Sequence, residues 1–463
     1  MTKKTRTFLF LIVSFFFVLG AVSAVFYAQG YRFDFNNFKY LKTGGIFVKV
    51  SPSNAKVFLD GKLIGRTQFI NDYLFSQSLL PKEYSLLIEK EGYSSWSKTF
   101  QVKETEVIEA KNIILFPKEI FFSQIKAKVD NFYPVDGEKI IVQKLIEPGQ
   151  PEEFSIYDPE KEEGARLEKI NLFLSEHDFL DLRIINSRYL LFLLQNKETE
   201  EEKYFFADLK EEDPSMQKLD FLSKEAKNIF LAESFGGSIL FWQDGPLLLK
   251  KSLDNNGFPI LFTNYEIKAF TLANNYFYLL SDKGELLKID QNQSFPAQNL
   301  IKEPFDFKDD SYYDLAVFGE KIFLKEDESL YALDENEKNF KKIFGGIKKI
   351  KASPFGDKLL CQMQNEFEIY LLEDIDTPFL KKAGGKIFIS RFSQPIQSSD
   401  WIENDYFVFA NENKIILSEI DTRSDLNTYQ IGEFNDPKIW FCPKNKKIYI
   451  LSNGSIFASD KIL

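Results

Sequence analysis

Residues 275–290 read NYFYLLSDKGELLKID: an apolar run to Leu280, a polar turn (Ser281-Asp282-Lys283-Gly284), and a second apolar run closing on an acid, Asp290. Two short strands joined by a tight turn explain that pattern, because Gly284 tolerates the backbone angles a hairpin demands. The same unit returns downstream, ending at Asp334, Glu373, Asp421 and Asp460, and in looser form upstream, ending at Asp158, Asp208 and near Asp254. The spacing averages about 43 residues, which is the period of β-propeller blades, each built around a hairpin. A single blade cannot bury both faces alone, so radial stacking must supply the core. Residues 118–463 are therefore expected to form a β-propeller of about eight blades, or seven if one looser copy is not a blade. The recurring acid is expected to cap a turn at the strand end, since Asp bonds readily to nearby backbone N–H groups.

Composition agrees with a mostly β chain. Of 463 residues, 49 are Phe and 20 are Tyr, types suited to pleated, half-buried surfaces, whereas Met numbers only 3. The net charge is −11, and because Lys3, Lys4 and Arg6 contribute +3, the remainder carries −14. So acidic a surface repels phosphate backbones, which argues against a nucleic-acid partner. Glu198 to Glu202 is expected to be a solvated hairpin loop. Cys361 and Cys442 fall in separate strand patterns and are expected to be buried thiols, with a bridge between them as the rival.

The N-terminus departs from this pattern. From Phe8 to Ala28 runs FLFLIVSFFFVLGAVSAVFYA, without a charge. As a helix it rises about 31 Å, matching a hydrocarbon core about 30 Å thick. The basic residues before it place residues 1–7 in the cytoplasm, 8–28 across the bilayer, and everything later outside. Tyr27 and Tyr31 sit where an interfacial aromatic belt would lie. The rival is a signal peptide cut after Ala24, suggested by the small residues from Gly20 to Ala24. Gly20 is the lone glycine of the run, so a Gly-x-x-x-Gly packing motif is missing.

Residues 29–43 are expected to be a juxtamembrane linker, and 44–117 a small antiparallel β domain. Gly44-Gly45 breaks the chain before a strand at Ile46–Val50, Ser51 to Ala55 makes a turn into a second strand at Lys56–Leu59, Asp60-Gly61-Lys62 is a hairpin, and Gln68 to Ser78 a polar stretch. Strands follow at Ser85–Glu89, Trp96–Val102 and Val107–Leu115. Pro52 and Ala55, Asp60-Gly61-Lys62, Gly65-Arg66-Thr67, Pro81-Lys82-Glu83-Tyr84 and Lys90-Glu91-Gly92-Tyr93 with Trp96 resemble, in order, the motifs of the PEGA domain. Ser53-Asn54 replace that family's Glu-Gly, and Lys82 replaces a Gly. The resemblance implies a small extracytoplasmic β module without catalytic residues. Ser353-Pro354-Phe355-Gly356-Asp357-Lys358 is similar to the turns of TolB-like propellers, and Asn131 to Glu138 is a looser version. That likeness implies architecture and no chemistry.

Chemistry is scarce. The one histidine, His177, lies in a polar stretch read as a surface loop, and no Gly-x-Ser-x-Gly elbow accompanies it. No Cys or His spacing suits zinc, and Asp254-Asn255-Asn256-Gly257 lacks the distal Glu of a calcium loop. No catalytic, cofactor or metal residue is therefore assigned, and no cofactor is expected. The chain is expected to be a non-enzymatic, membrane-anchored binding or scaffold protein at the cell envelope, presenting loops to a protein or glycan partner. Its rivals are a glycosidase-like enzyme with paired carboxylates facing the channel, and an envelope assembly factor or sensor. Because the last repeat ends three residues before Leu463, Glu119 to Ile125 is expected to supply the outermost strand of the last blade.

Overall fold

The computed structural model describes residues 3–34, 38–68, 71–135, 138–144, 146, 150–234, 237–254, 257–292 and 296–463. The chain divides into two compact units: 1–120 with 373–387 and 417–431, and the remainder.

The first unit begins with one helix, α1, Lys3–Ala28, whose apolar stretch Thr5–Ala28 has no buried residue. The strands that follow are β1 (Tyr31–Asp34), β2 (Lys39–Lys42), β3 (Gly44–Ser51), β4 (Lys56–Leu59), β5 (Lys62–Arg66), β6 (Tyr73–Leu79), β7 (Glu83–Glu89), β8 (Trp96–Gln101) and β9 (Val107–Ile114). Residues 29–43 are thus not a plain linker, because β1 and β2 pair as an antiparallel hairpin. Nor do residues 44–117 make one antiparallel sheet. They form two, β6-β3-β9 and β5-β4-β7-β8, and β3 pairs with β9 in parallel. A parallel partner needs a long crossover, and the whole second sheet provides it.

Both sheets close on one core. Alternate residues turn inward: Ile46, Val48 and Val50 from β3, Leu86 and Ile88 from β7, Trp96 and Phe100 from β8. The stretch Gln68 to Ser78 is strand β6 from Tyr73 onward, paired with β3; Phe69 and Ile70 lie outside the described residues. At the β4–β5 hairpin, Asp60 (φ 47°) and Gly61 (φ 75°) both take positive φ, the geometry of a two-residue turn that matches strand twist.

After Ile120, a strand β10 (Phe122–Ala127) precedes a series of four-stranded antiparallel sheets. Sheets I to VII span 129–166, 177–218, 227–261, 267–299, 313–344, 347–391 and 396–433. Sheet VIII joins 438–459 to β10. In each, the second and third strands are the sequence repeat: Tyr276–Ser281 with Leu286–Asp290, for example, is the middle of sheet IV.

Apolar clusters bind each sheet to the next. Phe192 and Phe205 of sheet II pack with Phe154 of sheet I. Trp242 of sheet III packs against Tyr204 of sheet II, and Phe277 of sheet IV against Phe241 of sheet III. Leu324 of sheet V meets Tyr278 of sheet IV, and Tyr370 of sheet VI meets Phe323 of sheet V. Phe367 of sheet VI lies 5.0 Å from Phe407 of sheet VII. Ser398 and Asp400 of sheet VII accept the backbone N–H of Ile439 and Phe441 in sheet VIII, each at 3.0 Å. Trp440, Tyr449 and Ile456 of sheet VIII then pack on Phe132 and Ile140 of sheet I.

The anticipated strap is present. Strand β10 pairs antiparallel with Ser455–Ser459, in the register Phe122↔Ser459, Ser123↔Ala458 and Gln124↔Phe457. The Asp460 N–H adds a bond to the Phe121 carbonyl at 2.9 Å.

Five of the eight repeat-ending acids cap a turn as expected. Asp158, Asp208, Asp290, Asp334 and Asp421 each accept a backbone N–H two residues ahead, at 2.8–3.1 Å. Asp254 instead accepts Ser238 N–H at 2.7 Å, while Asn255 and Asn256 of the calcium-like stretch lie outside the described residues. So do Asp136 and Gly137 of the looser TolB-like turn. The clearer copy is a real turn: Gly356 takes φ 74°, and Ser353 Oγ donates to Asp357 Oδ1 at 2.7 Å. Glu198 to Glu201 do form the exposed turn before Glu202–Asp208. Cys361 and Cys442 are buried in different clusters and form no disulfide.

His177 is not a loop residue. It opens the first strand of sheet II, stacks on Phe173 with ring centroids 4.4 Å apart, and has Nδ1 3.1 Å from the Phe173 carbonyl. A short helix, α2 (Glu168–Leu174), brings Phe173 there while burying Ile170 and Leu174. The ring packs as an aromatic, a role that the polar neighbours Glu176 and Asp178 concealed.

Candidate functional site

The first strands of sheets VI, VII and VIII carry a polar cluster. In Ile347–Ala352, Lys349 and Lys351 lie two residues apart and so share a strand face. Lys349 Nζ donates to the Ser399 carbonyl at 3.2 Å, and Lys351 forms an ion pair with the buried carboxylate of Asp400. Asp400 is held in place because its other oxygen accepts Phe441 N–H. Lys438 reaches into sheet I, donating to the Phe132 carbonyl at 2.6 Å and Asn131 Oδ1 at 2.7 Å. Its ammonium lies 4.8 Å from the centroid of the Phe132 ring and 5.3 Å from that of Tyr133, within cation–π range.

Burial, reinforced by the charge of Lys349, pushes the Lys438 ammonium down to about 8. Burial and Lys351 lower Lys349 as well. Three ammonium groups against one carboxylate make a cationic pole in an acidic protein, and the neutral amine of Lys438 is accessible in mild alkali. Carboxylates gather nearby on sheets I and II. Burial raises the Tyr133 hydroxyl, and Asp181, Asp130 and Glu152 raise it further. Glu152 is itself raised by burial, with Asp130 adding to the effect.

The first unit has a second built feature. In β8, Trp96, Lys98 and Phe100 all point inward, which buries a lysine completely. Its partner is Glu419, 2.6 Å away, with the two side chains 0% and 3% exposed. The same carboxylate accepts Trp96 Nε1–H at 2.7 Å and two N–H groups of Asn427 at 2.8 Å. Asn427 also brackets the backbone of Ser97, and Tyr429 donates to the Ser95 carbonyl at 3.0 Å. A buried charge is tolerable only when so fully bonded, so this cluster is a lock more than a ligand site. On the open face of β4, Lys56, Arg66, Lys90, Lys118, Glu89 and Tyr93 line a depression of ≈ 570 Å³.

Among the described residues, no group of three or more His, Cys, Asp or Glu is placed to hold a metal ion. The sequence singled out none of these lysines. The signal existed in the alternation of Trp96-Ser97-Lys98-Thr99-Phe100, where a lysine occupies an inward position. Lys349 and Lys438 gave no such warning, because both are exposed lysines on strands, like many others in the chain.

Comparison with known proteins places residues 43–113 in a match to the PEGA domain. No curated protein matches the chain. Among solved structures, it is similar to the β-propeller domain of Cps50 (Swd1) from Myceliophteria thermophila, at 12% identity and a TM-score of 0.36, over 62% of this chain and 100% of that one. It is also similar to BamB from Moraxella catarrhalis, at 11% identity and a TM-score of 0.38, over 73% of this chain and 100% of that one.

Proposed function

We propose that this is a single-pass membrane protein whose N-terminus is cytoplasmic and whose ectodomain is an extracytoplasmic binding scaffold. The ectodomain consists of a PEGA-type module and one closed propeller of eight blades. The observation that carries the reading is the charge-free run Phe8–Ala28 of α1, in which no residue is buried. Leaving about twenty apolar side chains in water is untenable, and a bilayer is the solvent that suits them. Sheet-to-sheet packing that returns from sheet VIII to sheet I supports the ring, as does the strap β10. A ring has no free sheet edges and presents its loops and first strands to a partner. The cationic pole of Lys349, Lys351 and Lys438 suits an anionic protein or an envelope glycan.

Carbonate-washed membranes should retain the protein, and its mature N-terminus should precede Val25. A mature protein beginning at Val25 would overturn the anchor. Immobilised ectodomain should capture a partner from envelope fractions, and Lys349→Glu with Lys438→Glu should abolish that capture; unchanged capture would remove the pole from the proposal.

The enzyme reading has one observation in its favour, the raised carboxyl of Glu152 beside Asp130. Glycan hydrolysis lost in Glu152→Gln, with the fold intact, would establish it in place of the scaffold.

A further inference from the structure

We infer that the β1–β2 hairpin is a membrane-interface anchor, seated among lipid headgroups and holding the small domain against the bilayer. The inference rests on the single-pass reading of α1.

The hairpin has nowhere else to go. Only Gln29 and Gly30 separate α1 from β1, a link that spans at most about 7 Å. That link is itself closed into a turn, with Gln29 N–H bonded to the Val25 carbonyl and Gly30 N–H to the Tyr27 carbonyl. Two strands of four residues are marginal by themselves in water. What they display is aromatic. Phe26, in the last turn of α1, meets Tyr31 edge-on at 5.4 Å and stacks on Tyr40 at 5.9 Å. Tyr40 continues to Phe33 at 5.1 Å, and Phe33 to Phe38 at 6.2 Å. The outer rings of this chain are bare, with Phe38 79% and Tyr40 59% exposed.

A contiguous bare aromatic cluster at the end of an apolar span has the chemistry of the headgroup layer, which accepts rings whose edges meet both hydrocarbon and water. Arg32, Lys39 and Lys42 add positive charge to the same segment of an otherwise acidic ectodomain, which suits anionic lipid. Continuity with the span thus identifies the occupant as the lipid surface.

Arg32 makes the seat rigid. One arm of its guanidinium donates to the carbonyls of Tyr27 and Tyr31, each at 2.9 Å, so a cation meets the negative end of the helix. The other arm donates to Ser78 Oγ of β6 at 2.8 Å, and the group covers the Tyr27 ring at 3.5 Å. Thr43 closes the base by donating to the Gly30 carbonyl through both N–H and Oγ1–H. Helix end, hairpin and β6 are therefore joined without a free stalk.

The full chain carrying Phe38→Trp, reconstituted in phosphatidylethanolamine–phosphatidylglycerol vesicles, tests this. The four native tryptophans, Trp96, Trp242, Trp401 and Trp440, are all buried and still emit, so the new indole is read as the difference between the signals of the variant and of the parent chain. It is expected to emit to the blue, to lose most of its emission to shallow brominated lipid, and to resist acrylamide. Phe355→Trp, at a 77% exposed turn, should show the reverse. Flotation with vesicles but acrylamide quenching equal to that control would overturn the hairpin anchor while leaving the single span intact. Resistance to acrylamide without quenching by bromolipid would also overturn it, placing the hairpin against protein. Failure to float would overturn both. Tyr40→Trp repeats the measurement should Phe38→Trp misfold.

Discussion

Lys98 and Glu419 show how a single buried contact can specify an arrangement. Neither charge would be tolerated alone, yet together with Trp96 and Asn427 each is saturated with bonds. Glu419→Leu should therefore cost about 3–5 kcal/mol, because it leaves an uncompensated ammonium in the core. Adding Lys98→Met should recover much of that loss, since a well-packed apolar pair removes both desolvation penalties. Urea titration of the single and double variants checks this; equal stability of the two would show that the pair acts independently.

Lys438 makes a second expectation of this kind. Its folded value of about 8 lies below the unfolded value near 10.4, so folding disfavours the ammonium. The penalty is present in full below pH 8 and is relieved as pH rises from about 8 towards 10.4. NMR titration of labelled lysines should give Lys438 a midpoint near 8, and Lys438→Met should remove the corresponding rise in stability with alkali.

The turn-ending aspartates belong to the repeating strand hairpin. Asp334 is held down at about 2 by the N–H of Glu337 and then by Lys341, and Asp208 is lowered chiefly by Arg188. A depressed carboxyl stabilises the fold above its unfolded value near 3.9 and loses that contribution as pH falls through the folded value. Acid unfolding should therefore set in between about pH 4 and 2, and Asp334→Asn combined with Asp208→Asn should flatten the stability profile across that window.

The hairpin of sheet IV also depends on a glycine. Gly284 takes φ +80°, and a Cβ there would strike the backbone of Phe305. Gly284→Ala should cost more than about 1 kcal/mol, whereas Gly319→Ala, which also has a positive φ (+60°) but open space around it, should cost less. Thermal melts of the two variants separate steric contact from backbone preference.

For the molecule as a whole, the strap is the decisive element. Without β10, the Ser455–Ser459 strand becomes a bare edge, and unpaired edges invite association. Replacing 122–127 with a glycine–serine run of equal length should abolish hydrogen-exchange protection at 455–459 and promote aggregation. Protection that persists would mean the Ser455–Ser459 strand is held by side-chain packing alone.

Much of this was legible because it is periodic or local. The hairpin repeat, its closing acids, the charge-free helix and the Asp60-Gly61 turn each follow from spacing or from the backbone freedom of one residue. The strap could be anticipated from the apolar segment Glu119 to Ile125, which lies between the small domain and the first repeat. Tertiary structure alone decided what joins distant positions. The parallel pairing of β3 with β9 depends on a crossover rather than on either strand's own residues. Lys98 and Glu419 lie more than three hundred residues apart, and neither shows its partner in its neighbours. His177 packs as a half-buried aromatic because α2 brings Phe173 to it, although the flanking acids suggested a solvated loop. Periodicity tells which face of a strand is apolar, but a polar side chain is placed by the partner that satisfies it, and only the folded chain supplies that partner.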